Sequence, residues 1–299
     1  MNADFIRDLW RKKRMLESGD IEHQAIKTVL LILGGGMRGA YQAGMTIALN
    51  QLGLVEVFDF IVGVSTGALV GAYALAGLEQ NTIGASLYFE EGTTRQFTDL
   101  RRFKVFDSKY LEQVIRCEKP LDHKAARSAR SEFWVGVTNF RTGAGELINA
   151  KIASPDLIAA VVASTSFYDQ PKVVNGGQYV DGDLALPLPI SQVIQKFCPT
   201  HILVLANTPG QIACLNTRLQ RLAVWAFLRR NVALREAWRG QNEEIESGLQ
   251  SIRDSQINIG IVMPSQLKIT QITQNCELLR KAVAECQNLL LNQLGEPPG

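Results

Sequence analysis

A chain of 299 residues, with 46% hydrophobic and 20% charged residues, has the composition of an ordinary globular enzyme. A formal net charge of +2 gives no reason to expect nucleic acid as a partner. The chain lacks an apolar run of roughly 18 residues and the hallmarks of a signal peptide, so neither a transmembrane helix nor export is expected. The five cysteines form no CxxC pair, which favours a cytoplasmic protein without a disulfide framework or zinc site.

Apolar runs rich in β-branched residues alternate with segments of helical periodicity. Strands are predicted at residues 28–33, 58–62, 133–138, 201–206 and 257–262. Helices are predicted near residues 40–52, 66–78, 108–117, 155–164, 189–197, 217–250 and 274–294. This alternation predicts an α/β fold with a parallel sheet covered on both faces.

The chain shows no internal repeat and no linker that would divide it. Residues 1–24 are polar and are expected to be a peripheral segment. Residues 25–295 are expected to form a single domain. Its motifs lie within residues 28–209, and residues 215–295 are predicted to be its helical C-terminal part.

A serine flanked by glycines lies between a predicted strand and a predicted helix. Residues 63–67 read Gly-Val-Ser-Thr-Gly, a G-x-S-x-G pattern. In a nucleophile elbow this turn raises the serine above the sheet, and Gly63 and Gly67 avoid clashes with the adjoining strand and helix. The helix N-terminus also favours negative charge near Ser65. The alternative is an ordinary connection in which Ser65 caps the helix.

A glycine-rich loop joins the first predicted strand to the helix after it. Its residues are Gly34, Gly35, Gly36, Met37, Arg38 and Gly39. The loop fits the G-x-G-x-x-G pattern of dinucleotide sites, but those sites need an acidic residue where this chain has Ser65. With a nucleophile next to it, the loop suits oxyanion binding through its amides, and Arg38 can orient it or add positive potential. Alternatively, the glycines only permit close packing.

A serine hydroxyl needs an adjacent base to act as a nucleophile. His23 precedes the first strand, and His123 lies in a polar segment typical of an exposed surface. His201 opens a strand, which places it away from the catalytic edge of a parallel sheet, although a Ser–Asp–His order stays open. Asp181 follows a short predicted strand at 178–180 and is the better candidate, while Asp-Gly is also the commonest turn dipeptide.

The three motifs together resemble the signature of the patatin-like phospholipases. The resemblance rests on the loop at 34–39, the elbow at 63–67, and Asp181-Gly182 with Pro189 eight positions later, and it spans residues 28–209. It implies a three-layer α/β/α sandwich with a mostly parallel central sheet. It also implies Ser65 as nucleophile, Asp181 as base and the 34–39 loop as oxyanion loop, with no catalytic histidine, no metal and no cofactor.

The chain departs from the family pattern at three places. Leu33 precedes the glycine loop where the family often has Asp, and Asp183 follows Gly182 where the family has Gly or Ala. The Ala-Ser-rich stretch at 163–166 is followed by Phe167-Tyr168 where the family often has Pro. Asp183 puts in doubt the tuning of the base and which of the two carboxylates serves.

The predicted helix at 217–250 is basic in its first part. Its arginines are Arg218, Arg221, Arg229, Arg230, Arg235 and Arg239. Five of them fall within an arc of roughly 120° that also carries Trp225, Leu228 and Val232. Such a face suits peripheral contact with an anionic membrane surface, as does the N-terminal segment, whereas the alternative is a solvated or salt-bridged helix.

The favoured hypothesis is a serine lipid acyl hydrolase that cleaves fatty-acyl esters of phospholipids or lysophospholipids through an acyl-enzyme. Acyl transfer to an acceptor other than water would use the same residues. The rival hypotheses are a catalytically idle lipid-binding or regulatory protein and a nucleotide-binding α/β protein.

Overall fold

The computed structural model describes residues 2–91, 94, 107–213, 228, 230–266 and 269–295. The described strands are β1 (Thr28–Ile32), β2 (Phe60–Val64), β3 (Glu132–Asn139), β4 (Gly145–Asn149), β5 (Lys172–Val174), β6 (Gly177–Asp181), β7 (His201–Leu205) and β8 (Asn258–Val262). The described helices are α1 (Ala3–Ser18), α2 (Gly39–Gln51), α3 (Thr66–Leu75), α4 (Leu78–Ser86), α5 (Ser108–Gln113), α6 (His123–Ser128), α7 (Leu157–Thr165), α8 (Ile190–Phe197), α9 (Val232–Asp254) and α10 (Cys276–Leu294). None of these helices is both long and apolar enough to cross a membrane.

The described strands form one mostly parallel sheet in the order β5-β6-β3-β2-β1-β7-β8, with β4 paired to β3 outside this path. Strands β3, β2, β1, β7 and β8 are parallel, so their carboxyl ends meet at one edge. Strands β4 and β6 pair with β3 in the antiparallel sense, and β5 pairs in the same way with β6. The predicted α/β class with a mostly parallel sheet is confirmed.

Alternate side chains of the central strands enter two separate cores. Leu30 and Ile32 of β1 pack with α1, α2, α3, α4, α7 and α10 on one face of the sheet. Val29 and Leu31 pack on the other face with α8 and the end of α9. Because both faces of each central strand are buried, the strands are apolar without alternation, which is the pattern that the sequence shows.

The structure differs from the predicted elements at two places on the sheet. Strand β4, with the sequence Gly-Glu-Leu-Ile-Asn, was not predicted, because only one of its five residues is fully buried and its composition is that of a half-exposed edge. Strand β5 has three residues, too few for a periodicity to be seen.

The N-terminal segment that the sequence describes as peripheral packs against the core. Phe5, Leu9 and Trp10 of α1 are buried, and the Trp10 indole nitrogen donates to the carbonyl oxygen of Leu294 at 2.9 Å. Lys12 is also buried and forms an ion pair with Asp59. The polar composition of this helix reflects its exposed face, whereas its buried stripe fixes it to the fold.

The prediction of one continuous basic helix at residues 217–250 is wrong. Helix α9 begins at Val232, and the Asn231 side chain accepts a hydrogen bond from the Leu234 amide as the N-cap. Because an N-cap residue marks the start of a helix, Arg230 precedes α9 and is not on the same helix as Arg235. Arg218, Arg221, Arg229 and Trp225 lie outside the described residues, and no shared basic face can be drawn.

Candidate active site

Ser65 lies on the sharp turn between β2 and α3. Its φ and ψ are 53° and −127°, a region that non-glycine residues adopt only when the surroundings enforce it. A Cβ on Gly67 would lie 2.1 Å from the carbonyl oxygen of Ile32, and one on Gly63 would lie 2.5 Å from the Ala68 Cα. The turn is therefore tight enough to exclude side chains on both sides of the serine.

The Ser65 hydroxyl donates a hydrogen bond to the Asp181 carboxylate, with 2.8 Å between Oγ and Oδ2. The sheet brings the two residues together, although they are far apart in sequence. Val64, at the end of β2, is opposite Gly136 of β3, and Asp181, at the end of β6, is opposite the next residue, Val137. The antiparallel course of β6 thus delivers Asp181 to the edge at which the parallel strands end.

The end of helix α7 holds both members of this pair. The Ser65 amide donates to the Ser164 hydroxyl at 2.9 Å, and that hydroxyl donates to the carbonyl oxygen of Gly136 at 2.6 Å. The Asp181 amide donates to the carbonyl oxygen of Ser166 at 2.8 Å. The backbone amides of Ser65 and Asp181 are thus both anchored to the end of α7. This anchoring keeps the Ser65 hydroxyl and the Asp181 carboxylate close together.

Two carboxyls, those of Asp181 and Asp183, share this turn, and both residues are half-buried. The Asp183 amide donates to Asp181 Oδ1 at 2.9 Å. Burial raises the pKa of Asp181, and the charge of Asp183 raises it further, against smaller lowering effects of the Asp183 amide and the Ser65 hydroxyl. Burial also raises the pKa of Asp183, whereas the Arg38 guanidinium lowers it. The proton affinity of Asp181 therefore moves towards the range of a useful general base.

The glycine-rich loop lies directly beside the serine. A Cβ on Gly34 would lie 3.1 Å from the Ser65 Cβ, and the Asn207 side chain holds the loop by donating to the Gly34 carbonyl oxygen at 2.5 Å. The Met37 amide donates to the carbonyl oxygen of Gln271 at 3.0 Å, and the Arg38 amide donates to that of Gly35. Those two amides are already used, whereas no hydrogen bond from the Gly35 or Gly36 amide is found within the described ranges.

The Arg38 side chain lies near the carboxyl pair and near the residues that follow strand β7. Its Nη1 donates to the Thr208 hydroxyl at 2.9 Å, and its Nε is buried with no acceptor among the described residues. Its charge opposes that of Asp183. Arg38 therefore acts electrostatically on the Asp181–Asp183 turn.

A pocket opens over Ser65 and Asp181, with a volume of about 150 Å³. This is enough for a benzene-sized apolar group. Its apolar wall consists of Leu69, Leu87, Leu111, Phe167 and Ile272. The remaining lining residues are Gly35, Gly36, Met37, Thr66, Tyr88, Thr165, Tyr168, Asp183 and Gln271. A mostly apolar pocket with a few polar groups at one point is typical of a site for an apolar substrate with one reactive polar group.

The histidines lie elsewhere. His201 pairs with Thr28 at the start of the parallel strands, the opposite edge from Ser65, and its Nε2 lies 3.2 Å from Asp8 Oδ2. His123 is exposed at the start of α6, and His23 lies in the turn before β1. Neither the fold nor any hydrogen bond of the described residues brings a histidine to the serine.

Sequence reasoning missed several residues of the site. Ser164 lies in the stretch that the resemblance points to, so it could have been chosen. Asn207, Gln271 and Ile272 had no such signal, because they lie in exposed or irregular segments after β7 and β8. Only the folded chain brings those segments over the glycine loop.

The fold and the site define an α/β protein with a serine–carboxylate pair on a nucleophile elbow, beside a glycine-rich loop. The family model described as patatin-like phospholipase matches residues 30–194, more than half of the chain. The chain belongs to the patatin-like phospholipase family, as its motifs predict, and this membership supports a lipid hydrolase activity. No curated protein matches the chain.

Two solved structures are similar to this chain at low identity. VipD from Legionella pneumophila is 11% identical with a TM-score of 0.44, and the match covers 89% of this chain and 67% of VipD. ExoU from the type III secretion system of Pseudomonas aeruginosa, solved in complex with SpcU, is 14% identical with a TM-score of 0.41. That match covers 90% of this chain and 53% of ExoU, so the chain spans about half of ExoU.

Proposed function

We propose that the protein hydrolyses fatty-acyl esters of phospholipids or lysophospholipids, with Ser65 as nucleophile and Asp181 as general base. The observation that carries the proposal is the 2.8 Å hydrogen bond from the Ser65 hydroxyl to Asp181 at the base of an apolar pocket. Family membership supports the lipid substrate class.

In the proposed reaction, Ser65 Oγ attacks the ester carbonyl carbon while Asp181 takes its proton. The amides of Gly35 and Gly36 stabilise the tetrahedral oxyanion, and the N-terminal end of α3 adds to the positive potential there. Collapse of this intermediate breaks the bond to the alcohol, which leaves with the proton from Asp181. Water then attacks the acyl-enzyme, gives a proton to Asp181, and releases the fatty acid as Ser65 recovers its own.

The first test is covalent labelling with a fluorophosphonate probe, together with fatty-acid release from a panel of phospholipids and lysophospholipids. The wild type should be labelled and should release fatty acid, and Ser65→Ala should lose both. Ser128→Ala is the matched control, because Ser128 is an exposed serine in α6. Lipid binding without labelling would instead indicate the catalytically idle protein.

The second test separates the dyad from a triad. Asp181→Asn should lower kcat by orders of magnitude, whereas His201→Ala and His123→Ala should keep most of the activity, because both histidines lie away from Ser65. A folded His201→Ala protein that is as inactive as Asp181→Asn would contradict the proposed dyad.

A further inference from the structure

Tyr168 is a polar residue of the pocket that the dyad does not use. It occupies a position where the chain departs from the family pattern, three residues after the end of α7. Its ring stacks on that of Phe167, with 4.7 Å between the ring centroids and 21° between the planes. The Asp181 amide donates to the carbonyl oxygen of Ser166, so the backbone two residues before Tyr168 is tied to the dyad.

The hydroxyl of Tyr168 has no protein acceptor among the described residues. Other hydroxyls of the pocket are already used: Thr66 is hydrogen-bonded to Tyr88, and Thr165 donates to carbonyl oxygens of its own helix. Tyr168 makes no such bond, and its oxygen is not among the buried polar atoms that lack a partner. Tyr168 lines the pocket, and a donor that is unpaired in the protein is available to a ligand there.

The surroundings keep this hydroxyl protonated. Burial raises the pKa of Tyr168, and the negative charges of Asp181 and Asp183 raise it further. Tyr168 lines the same pocket as both carboxyl groups. At neutral pH Tyr168 is therefore a neutral donor next to the reacting groups.

The pocket lies between two different cores, which gives it two distinct sides. Leu69, Leu87 and Leu111 belong to the core on the helix face that contains α2 and α3. Tyr168 packs against a smaller cluster that includes Leu184 and Trp238. An acyl chain on the leucine side would leave the Tyr168 side of the pocket for the alcohol part of an ester bound at Ser65.

We propose that Tyr168 determines specificity for the alcohol part of the ester, by donating its hydroxyl to an oxygen atom of that alcohol. This inference rests on the proposed function, since it assumes that an ester is bound at Ser65. The apolar side of the pocket provides affinity for the acyl chain, whereas Tyr168 selects alcohols with an acceptor next to the ester.

The experiment compares two soluble substrates that differ only in the alcohol, glycerol 1-monobutyrate and propyl butyrate. Tyr168→Phe removes one oxygen atom and keeps the ring stack, so its fold should be preserved. We expect kcat/KM for the glycerol ester to fall about 3- to 10-fold, the usual value of one hydrogen bond, with propyl butyrate changed less than about 2-fold. Tyr179→Phe is the control, because the Tyr179 hydroxyl donates to Glu146 and Tyr179 is not among the pocket-lining residues.

An equal fall for both esters would overturn the proposal, because Tyr168 would then act through the dyad. No change for either ester would overturn it as well. These results are distinct from a failure of the proposed function, in which the wild type would hydrolyse neither ester and Ser65 would not be labelled.

Discussion

The backbone amide of Ser65 donates a hydrogen bond to the Ser164 hydroxyl, which donates in turn to the carbonyl oxygen of Gly136. These two bonds connect the elbow to the neighbouring strand β3. Ser164 is fully buried, so water cannot easily replace its hydroxyl. Ser164→Ala would remove the acceptor of the Ser65 amide and a donor to the Gly136 carbonyl oxygen. We expect a loss of about 1–3 kcal/mol in the free energy of unfolding, measured by urea denaturation.

The control for this variant is Ser128→Ala, which removes an exposed hydroxyl that bonds to a carbonyl oxygen of its own helix. It should change the free energy of unfolding by less than about 0.5 kcal/mol. If Ser164→Ala were as stable as Ser128→Ala, the Ser164 hydroxyl would not be what satisfies the elbow.

The strained backbone of Ser65 predicts that activity and stability oppose each other at this residue. A positive φ of 53° costs on the order of 1–3 kcal/mol for a residue with a Cβ, and glycine adopts it freely. Ser65→Gly and Ser65→Ala lose the same hydroxyl. The free energy of unfolding of Ser65→Gly should nevertheless be larger than that of Ser65→Ala by about 1 kcal/mol. This difference is the relief of backbone strain less the cost of the larger entropy of glycine in the unfolded chain.

Thermal unfolding of the two variants side by side measures this difference, since comparing them cancels the loss of the bond to Asp181. A Ser65→Ala protein with the higher Tm would show that the elbow is not strained. Neither variant should be labelled by a fluorophosphonate.

Asp183→Asn should move the acidic limb of the rate profile to lower pH. Asp181 accepts a proton only when it is ionised, and the charge of Asp183 is one of the causes that raise its pKa. Without that charge the base is available at lower pH, but it is also weaker, so the plateau rate should fall modestly. The measurement is kcat/KM against pH with a soluble ester, with the exposed Asp169 changed to Asn as the control.

If the acidic limb of the Asp183→Asn profile lay at the same pH as that of the wild type, burial alone would set the pKa of Asp181. An inactive Asp183→Asn with an active Asp181→Asn would show that Asp183 is the base.

The same pair predicts how stability depends on pH. Both carboxyls have pKa values in the folded state above their ordinary value of about 4. The folded state therefore binds more protons than the unfolded state above that pH, and this contribution to stability is lost as pH rises through the raised pKa values. Asp183→Asn should gain stability relative to the wild type between about pH 5 and pH 8, measured by urea unfolding at both pH values. A constant difference would contradict the raised pKa values.

The buried Lys12 makes Asp59 important for stability at the opposite edge of the sheet. The Lys12 ammonium contacts the Asp59 carboxylate and the Thr28 hydroxyl. Asp59→Asn would leave a buried charge without its counter-ion, at a cost of about 3–5 kcal/mol. Lys12→Met should cost less, because Asp59 keeps its contact with Arg130. Urea unfolding tests the order of the two variants, and the reverse order would contradict it; Lys12→Met should keep its esterase activity.

The parts of the fold that could be predicted are those encoded locally. Strands β1, β2 and β7 are continuous apolar runs because both of their faces are buried. The elbow consists of five adjacent residues, so its pattern is visible in the sequence. The contact between Ser65 and Asp181 depends on the pairing of β6 with β3, which has no local signal. The sequence predicted this contact only indirectly, from the positions of the histidines, the turn at Asp181 and the family resemblance. Their catalytic roles stay predictions.

The parts that could not be predicted depend on long-range packing. Helix α1 appears polar because its buried stripe is narrow, and its packing depends on Leu294 and Asp59. The turn at Gln271 contributes a carbonyl oxygen to the Met37 amide, and an exposed turn carries no pattern that would reveal this.

The position of β1 between β2 and β7 limits how far the chain can be shortened. The residues that match the family end at 194, before β7 begins, although β7 pairs with every residue of β1. A fragment of residues 30–194 would expose a fully apolar strand as an open sheet edge, which is a template for aggregation. It would also lose the bond from Gln42 to the carbonyl oxygen of Leu205. We therefore expect a stably folded unit to be larger than the segment that carries the motifs.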